Sequence, residues 1–132
     1  LILANSIYPT RVADALLAKA KAGNGDAADF IIKYGLHRRL LGVKNAFSEE
    51  DDLVMLDDLE ACNNYQLDLN DLKSIGISIS IILGSKDRLV DLKAVEKFTD
   101  IVPSKTYTMD EVGHFSFFED PIELSKLISE IV

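Results

Sequence analysis

At 132 residues, 48% of them apolar and 27% charged, the chain suits one modest soluble domain with its own core, which excludes a disordered tail. The 14 Lys and Arg stand against 22 Asp and Glu. The net charge of −8 repels phosphate backbones and anionic lipid surfaces, so neither nucleic acid nor membrane is expected as a partner. The single cysteine, Cys62, allows no internal disulfide, and a reducing cytoplasm is the expected compartment. No apolar run approaches the roughly 20 residues needed to span a bilayer.

Leu1 to Ala4 is too short and apolar for a helix and is ended by Asn5 and Ser6, so it reads as a buried strand cut from something longer. Pro9 and Thr10 then open a helix with Ala13, Leu16, Leu17 and Ala20 at helical spacing and Gly23 at its C-terminus. Asp26 is the expected cap of a second helix, which carries Ala27, Phe30, Ile31 and Tyr34 on one face and stops at Gly35. His37, Arg38 and Arg39 form a basic patch. Ser48 to Asp51 has the form of a capping box with Asp in place of Glu, opening a helix that runs to about Asn64. Leu53, Leu56, Leu59 and Cys62 nearly share its apolar face. Asn70 is placed to cap one more turn before Gly76. From Tyr8 to about Ser74 the signal is all helix.

Ile77 to Leu83 is a β-branched apolar run with Ser78 and Ser80 alternating onto one face, which predicts a strand buried on both sides. Leu92, Val95, Phe98 and Ile101 predict a helix from Asp91, ended before Pro103. Lys105 to Met109 alternates as a short strand. Asp120 and Pro121 are a helix start, with Ile122, Leu124, Leu127, Ile128 and Ile131 as the stripe of a terminal helix. Strand, helix, strand, helix in that order predicts an α/β fold with a parallel sheet.

Two runs carry chemistry. Gly84 to Val90 hangs Asp87 from the end of the first of these strands, and Gly113 to Pro121 places His114 directly behind a glycine after the second. Both residues emerge at the C-terminal edge of the sheet, where open α/β folds bind ligands. A histidine alone reads ordinarily as exposed or structural. The glycine before His114, the aromatic run after it, the Glu119-Asp120-Pro121 start and the acid on the previous strand favour a catalytic one. Asp87 has a competing reading as a turn residue, with Asp91 (a helix cap) and Asp110 as rival acids. His37 reads as solvated, and Ser78, inside a strand, as structural. Asp68 to Asp71 begins like a calcium loop but has Leu72 at a ligand position and lacks the glycine. With one Cys and two distant His, neither a metal site nor a cofactor is expected.

The pairing of these two runs resembles the α/β-hydrolase family, in which an acid follows one late strand, a histidine the next, and the nucleophile lies earlier. The likeness covers about the last 60 residues closely and the rest in outline. It implies Asp87 as the acid and His114 as the base of a nucleophile–His–acid triad. It also implies residues 1–7 as a core strand after the nucleophile's helix, 8–74 as a helical cap and 75–132 as the C-terminal part of the parallel sheet. No G-x-S-x-G elbow is present. The expected chain is therefore the C-terminal half of a hydrolase acting on an ester or related small apolar substrate. It would lack triad activity until joined by its N-terminal half, and its exposed apolar faces would favour self-association as a homo-oligomer. Tyr8, Phe30, Tyr34, Met55 and Tyr65 are candidates for an apolar pocket wall. The alternatives are a non-catalytic binding module of the same outline and a flavodoxin-like domain. The latter needs an acidic cluster at early strand ends that Leu1 to Ser6 does not offer.

Overall fold

The computed structural model describes residues 1–38, 40, 42–43 and 52–132, with positions 52 and 53 known by their backbone alone. The expected capping box at Ser48 to Asp51 lies outside the described residues, as does Arg39 of the basic patch. Three parallel strands, β1 (Ile2–Ala4), β2 (Ile79–Gly84) and β3 (Ser104–Met109), form one sheet in the order β1-β2-β3. Ile2 pairs with Ser80 and Ile79 with Ser104, so the C-terminal ends of all three strands reach the same edge.

Between β1 and β2 lie α1 (Asp14–Ala22), α2 (Asp26–Gly35), α3 (Asp52–Asn64) and α4 (Leu69–Ser74). After β2 come α5 (Leu92–Ile101), then β3, a four-residue α6 (Ser116–Glu119) and α7 (Pro121–Ile131). The caps follow local chemistry. Asp91 accepts from the Lys93 amide to start α5, and Asp120 accepts from the Glu123 amide to start α7 with Pro121 at its first position.

Several expected starts are displaced. Pro9 and Thr10 do not enter α1, which begins at Asp14. Gly25, not Asp26, is the cap position of α2, and the Asp26 side chain turns back to Asn24 and Lys19. At α4 the cap is Asp68, whose carboxylate accepts from the Asn70 amide.

The alternation along β2 divides the core. Ile79, Ile81 and Leu83 pack with Ala94, Val95, Phe98 and Val102 of the α5 side, together with Ile7. Ile82 faces Met109, Val112 and Leu124 on the α7 side. Every residue of β2 is buried, as a central parallel strand requires, and each such Ile or Leu contributes about 1.5–3 kcal/mol. The helical segment has its own core, where Leu16, Ala20, Ala27, Ala28 and Met55 meet under Phe30, Ile31, Leu56 and Leu59.

The helix faces differ from the sequence reading in detail. Cys62 is exposed, and the inner face of α3 runs through Met55, Leu56 and Leu59. Leu92 and Ile101 point outward on α5 while Ala94 and Val102 are covered. Ile122, 82% exposed, does not belong to the α7 stripe.

Candidate active site

Asp87 follows β2 by three residues, in a turn that closes on Gly84, and its side chain is 3% exposed. One carboxylate oxygen, Oδ1, accepts from the amides of Leu89 (2.8 Å) and Val90 (3.1 Å). The other, Oδ2, lies 3.0 Å from Nδ1 of His114. Burial alone would push this carboxyl up. The His114 hydrogen bond and charge and the two amides outweigh it and hold Asp87 below the usual carboxylate range. An ionised carboxylate only accepts, so Nδ1 of His114 carries a proton, and whenever the ring is neutral Nε2 is left as the acceptor. The side chain of His114 is 26% exposed. Acid and imidazole, both expected at the C-terminal edge of the sheet, meet there from adjacent strands.

The histidine loop is built by close backbone approach. A Cβ on Gly84 would run into the carbonyl oxygens of Val112 and Gly113, so the end of β2 slides beneath the loop only as glycine. A Cβ on Gly113 would stand 2.5 Å from the Gly35 carbonyl oxygen, 2.6 Å from Glu119 Oε1 and 2.7 Å from the His37 amide. The end of α2 thus lies directly against the loop, and the Gly35 carbonyl accepts from the His114 amide at 2.7 Å.

Two buried side chains that the sequence reading did not single out complete this edge. Glu119 accepts from the Gly113 amide (3.0 Å) through Oε1 and from the His37 (3.1 Å) and Arg38 (2.9 Å) amides through Oε2. Asn5, just past β1 with φ of 49°, reaches Asp87, Gly113 and Ser116. Its place after the first strand at the same edge was the available signal, because Asn tolerates the left-handed bend that ends a strand there.

Outside this cluster, Arg88 donates to the Lys33 and Leu36 carbonyls and lies over the Tyr34 ring, 5.4 Å from its centroid. His37 is not simply solvated: Nε2 is 3.0 Å from Glu111, which also pairs with Lys86 at 2.8 Å. Of the rival acids, Asp91 caps α5 and Asp110 accepts from the Ser85 hydroxyl. Ser78 is exposed and precedes β2.

The expected pocket-wall residues scatter. Met55 is in the helical core, Phe30 packs on Tyr34, and Tyr8 meets Tyr65 edge to face at the margin of an open cleft of about 670 Å³. That cleft is lined by neither Asp87 nor His114. Among the described residues no cluster of His, Cys, Asp and Glu is arranged to hold a metal ion, and no helix is long and apolar enough to cross a membrane.

No family model and no curated protein matches the sequence. Solved structures do. A thermophilic esterase superposes with a TM-score of 0.84 at 21% identity, over 99% of this chain and 54% of its own. An esterase from Exiguobacterium antarcticum gives 0.79 at 17% identity, over 99% and 56%. The 2-hydroxy-6-oxo-6-phenylhexa-2,4-dienoate hydrolase of Rhodococcus sp. strain RHA1 gives 0.70 at 14%, over 98% and 53%. The chain spans about half the length of these structures. It has the α/β-hydrolase fold, of which its three parallel strands, with a helical segment between the first two, form the C-terminal part.

Proposed function

We propose that the chain is the C-terminal portion of an α/β-hydrolase that cleaves an ester or related acyl bond of a small apolar substrate. Asp87 is the acid and His114 the base of its triad. The nucleophile comes from residues upstream of Leu1 in the full-length protein, and residues 8–74 form the cap over the site. The observation that carries this reading is the 3.0 Å contact between Asp87 Oδ2 and His114 Nδ1 at the sheet edge, with the second carboxylate oxygen held by two amides.

In such a site Nε2 of His114 takes the proton of the attacking hydroxyl and returns it to the leaving group. Asp87 fixes the tautomer and stabilises the imidazolium as it forms. The oxyanion donors, like the nucleophile, precede both residues in this family's order, so the described chain supplies base and acid alone.

The test is hydrolysis of an activated short-chain ester by the full-length protein, by His114→Ala and Asp87→Asn, and by the 132-residue chain alone. The full-length protein should turn over, Asp87→Asn should lose on the order of 10⁴ and His114→Ala on the order of 10⁶ in kcat, and the isolated chain should show no turnover that His114→Ala abolishes. A full-length protein indifferent to His114→Ala would overturn the assignment.

A further inference from the structure

Asn5 is a buried amide, 6% exposed, with every polar atom of its side chain engaged. Its Nδ2 group donates to Asp87 Oδ2 (3.3 Å) and to the Gly113 carbonyl (3.2 Å), and its Oδ1 accepts from the Ser116 hydroxyl. The amide can sit only one way round. A carboxylate and a carbonyl both accept, so the nitrogen must face them, and the one hydroxyl donor must face the oxygen. The Asn5 backbone amide is itself tied to the Ile82 carbonyl of β2 at 2.8 Å, so the side chain hangs from the sheet and not from a free loop. One residue therefore grips the acid loop, the histidine loop and the start of α6, segments 82 to 111 positions away in sequence.

Asp87 has four acceptor positions on two oxygens. Leu89 and Val90 fill those on Oδ1, and His114 takes one on Oδ2. The Oδ1 amides resist rotation about the Cβ–Cγ bond from one side, and a donor on Oδ2 is needed to hold it from the other. The Asn5 amide occupies that remaining place while also holding the carbonyl of the residue directly before His114.

We infer that Asn5 is a positioning residue of the proposed triad: it fixes the Asp87 carboxylate against His114, and Ser116 fixes Asn5. This rests on the functional reading above but is tested separately from it. Asn5 touches no reacting atom, so its loss should lower kcat and leave KM nearly unchanged.

Two readouts decide it, with retained far-UV circular dichroism as the check of folding. In the full-length protein, Asn5→Ala and Ser116→Ala should each lower kcat by about 10- to 100-fold, the scale on which misplaced catalytic groups lose rate, with KM held within about two-fold. Ser116→Ala keeps the Asn5 side chain in place and removes only its orienting donor, so it decides the matter if Asn5→Ala does not fold. Independently of any activity, the Nδ1 proton shared between His114 and Asp87 should give a downfield proton resonance. Asp87→Asn should abolish that resonance, and Asn5→Ala or Ser116→Ala should broaden or shift it upfield. A protein that proves not to be a hydrolase would fail the ester assay and leave the resonance test standing. Folded variants with parental kcat and an unmoved resonance would overturn the role of Asn5.

Discussion

Replacing Glu119 by Gln preserves shape and removes one acceptor, which makes it the sharpest probe of how the histidine loop is held. Three backbone amides converge on this carboxylate: Gly113 on Oε1, His37 and Arg38 on Oε2. A Gln side chain has one oxygen and one NH₂ group, and the latter must point at a donor whichever way it turns. With the oxygen on the His37 and Arg38 side, the buried Gly113 amide is unpaired, at about 1–3 kcal/mol. With the oxygen on the Gly113 side, two half-buried amides lose their acceptor, at about 0.5–1.5 kcal/mol each. Both orientations therefore cost about 1–3 kcal/mol. For a chain of this size that is a fall in melting temperature of roughly 4–10 °C. The assay is thermal unfolding followed by circular dichroism, with Glu130→Gln on the exposed end of α7 as the control for charge loss. A Glu119→Gln melt that coincides with the control would refute the claim that both oxygens are needed.

Two further outcomes follow from burial and charge. Phe98, 1% exposed at the centre of the α5 side of the sheet, should cost about 3–5 kcal/mol when cut to Ala, read from the urea midpoint, and a loss under 1 kcal/mol would mean that the site collapses around the deletion. Because burial's upward push on Asp87 is outweighed by His114 and the Leu89 and Val90 amides, the folded state binds this proton less readily than the unfolded chain does. Stability from Asp87 should then be present at neutral pH and drain away as pH falls below the ordinary value of 3.8, so Asp87→Asn should flatten the acid limb of the stability profile; an unchanged limb would refute it.

The parts of the fold that were legible are those governed by local chemistry. A β-branched run gave β2, Asp91 and Asp120-Pro121 gave two helix starts, and Asp87 and His114 were visible because each hangs from the end of a strand. Faces were less legible. On α5 the spacing of Leu92, Val95, Phe98 and Ile101 spreads over half the helix circumference, yet only its middle, Val95 and Phe98, is buried, together with Ala94 and Val102, because the sheet and not the helix decides how wide an arc is covered. Asn5 could be placed at the sheet edge, but what it and Glu119 hold was illegible for a stronger reason. Their partners lie up to 111 positions away, and nothing local distinguishes a strand-ending Asn from an Asn that holds an acid, or a Glu before a helix from one that ties two segments.

The distribution of apolar and polar contacts bears on how the edge works. The helical segment buries its apolar residues mostly in a core of its own, while the sheet packs against α5 and α7 in two others. Where the end of α2 meets the two loops, hydrogen bonds join Gly35 to the His114 amide, residues 37 and 38 to Glu119, and Arg88 to the Lys33 and Leu36 carbonyls, beside ring contacts of Arg88 with Tyr34 and of Gly35 with Phe115. Hydrogen bonds have a narrow range of length and angle, whereas apolar packing resists displacement over a broad surface. A shift of α2 by an ångström would therefore be felt at His114 and Arg88 before it disturbed the cores on either face of the sheet. Asn5 works in the opposite sense, since it fastens the same two loops to β1, which pairs along the most deeply buried strand. The imidazole is held between a fixed anchor in the sheet and a tie to the helical segment.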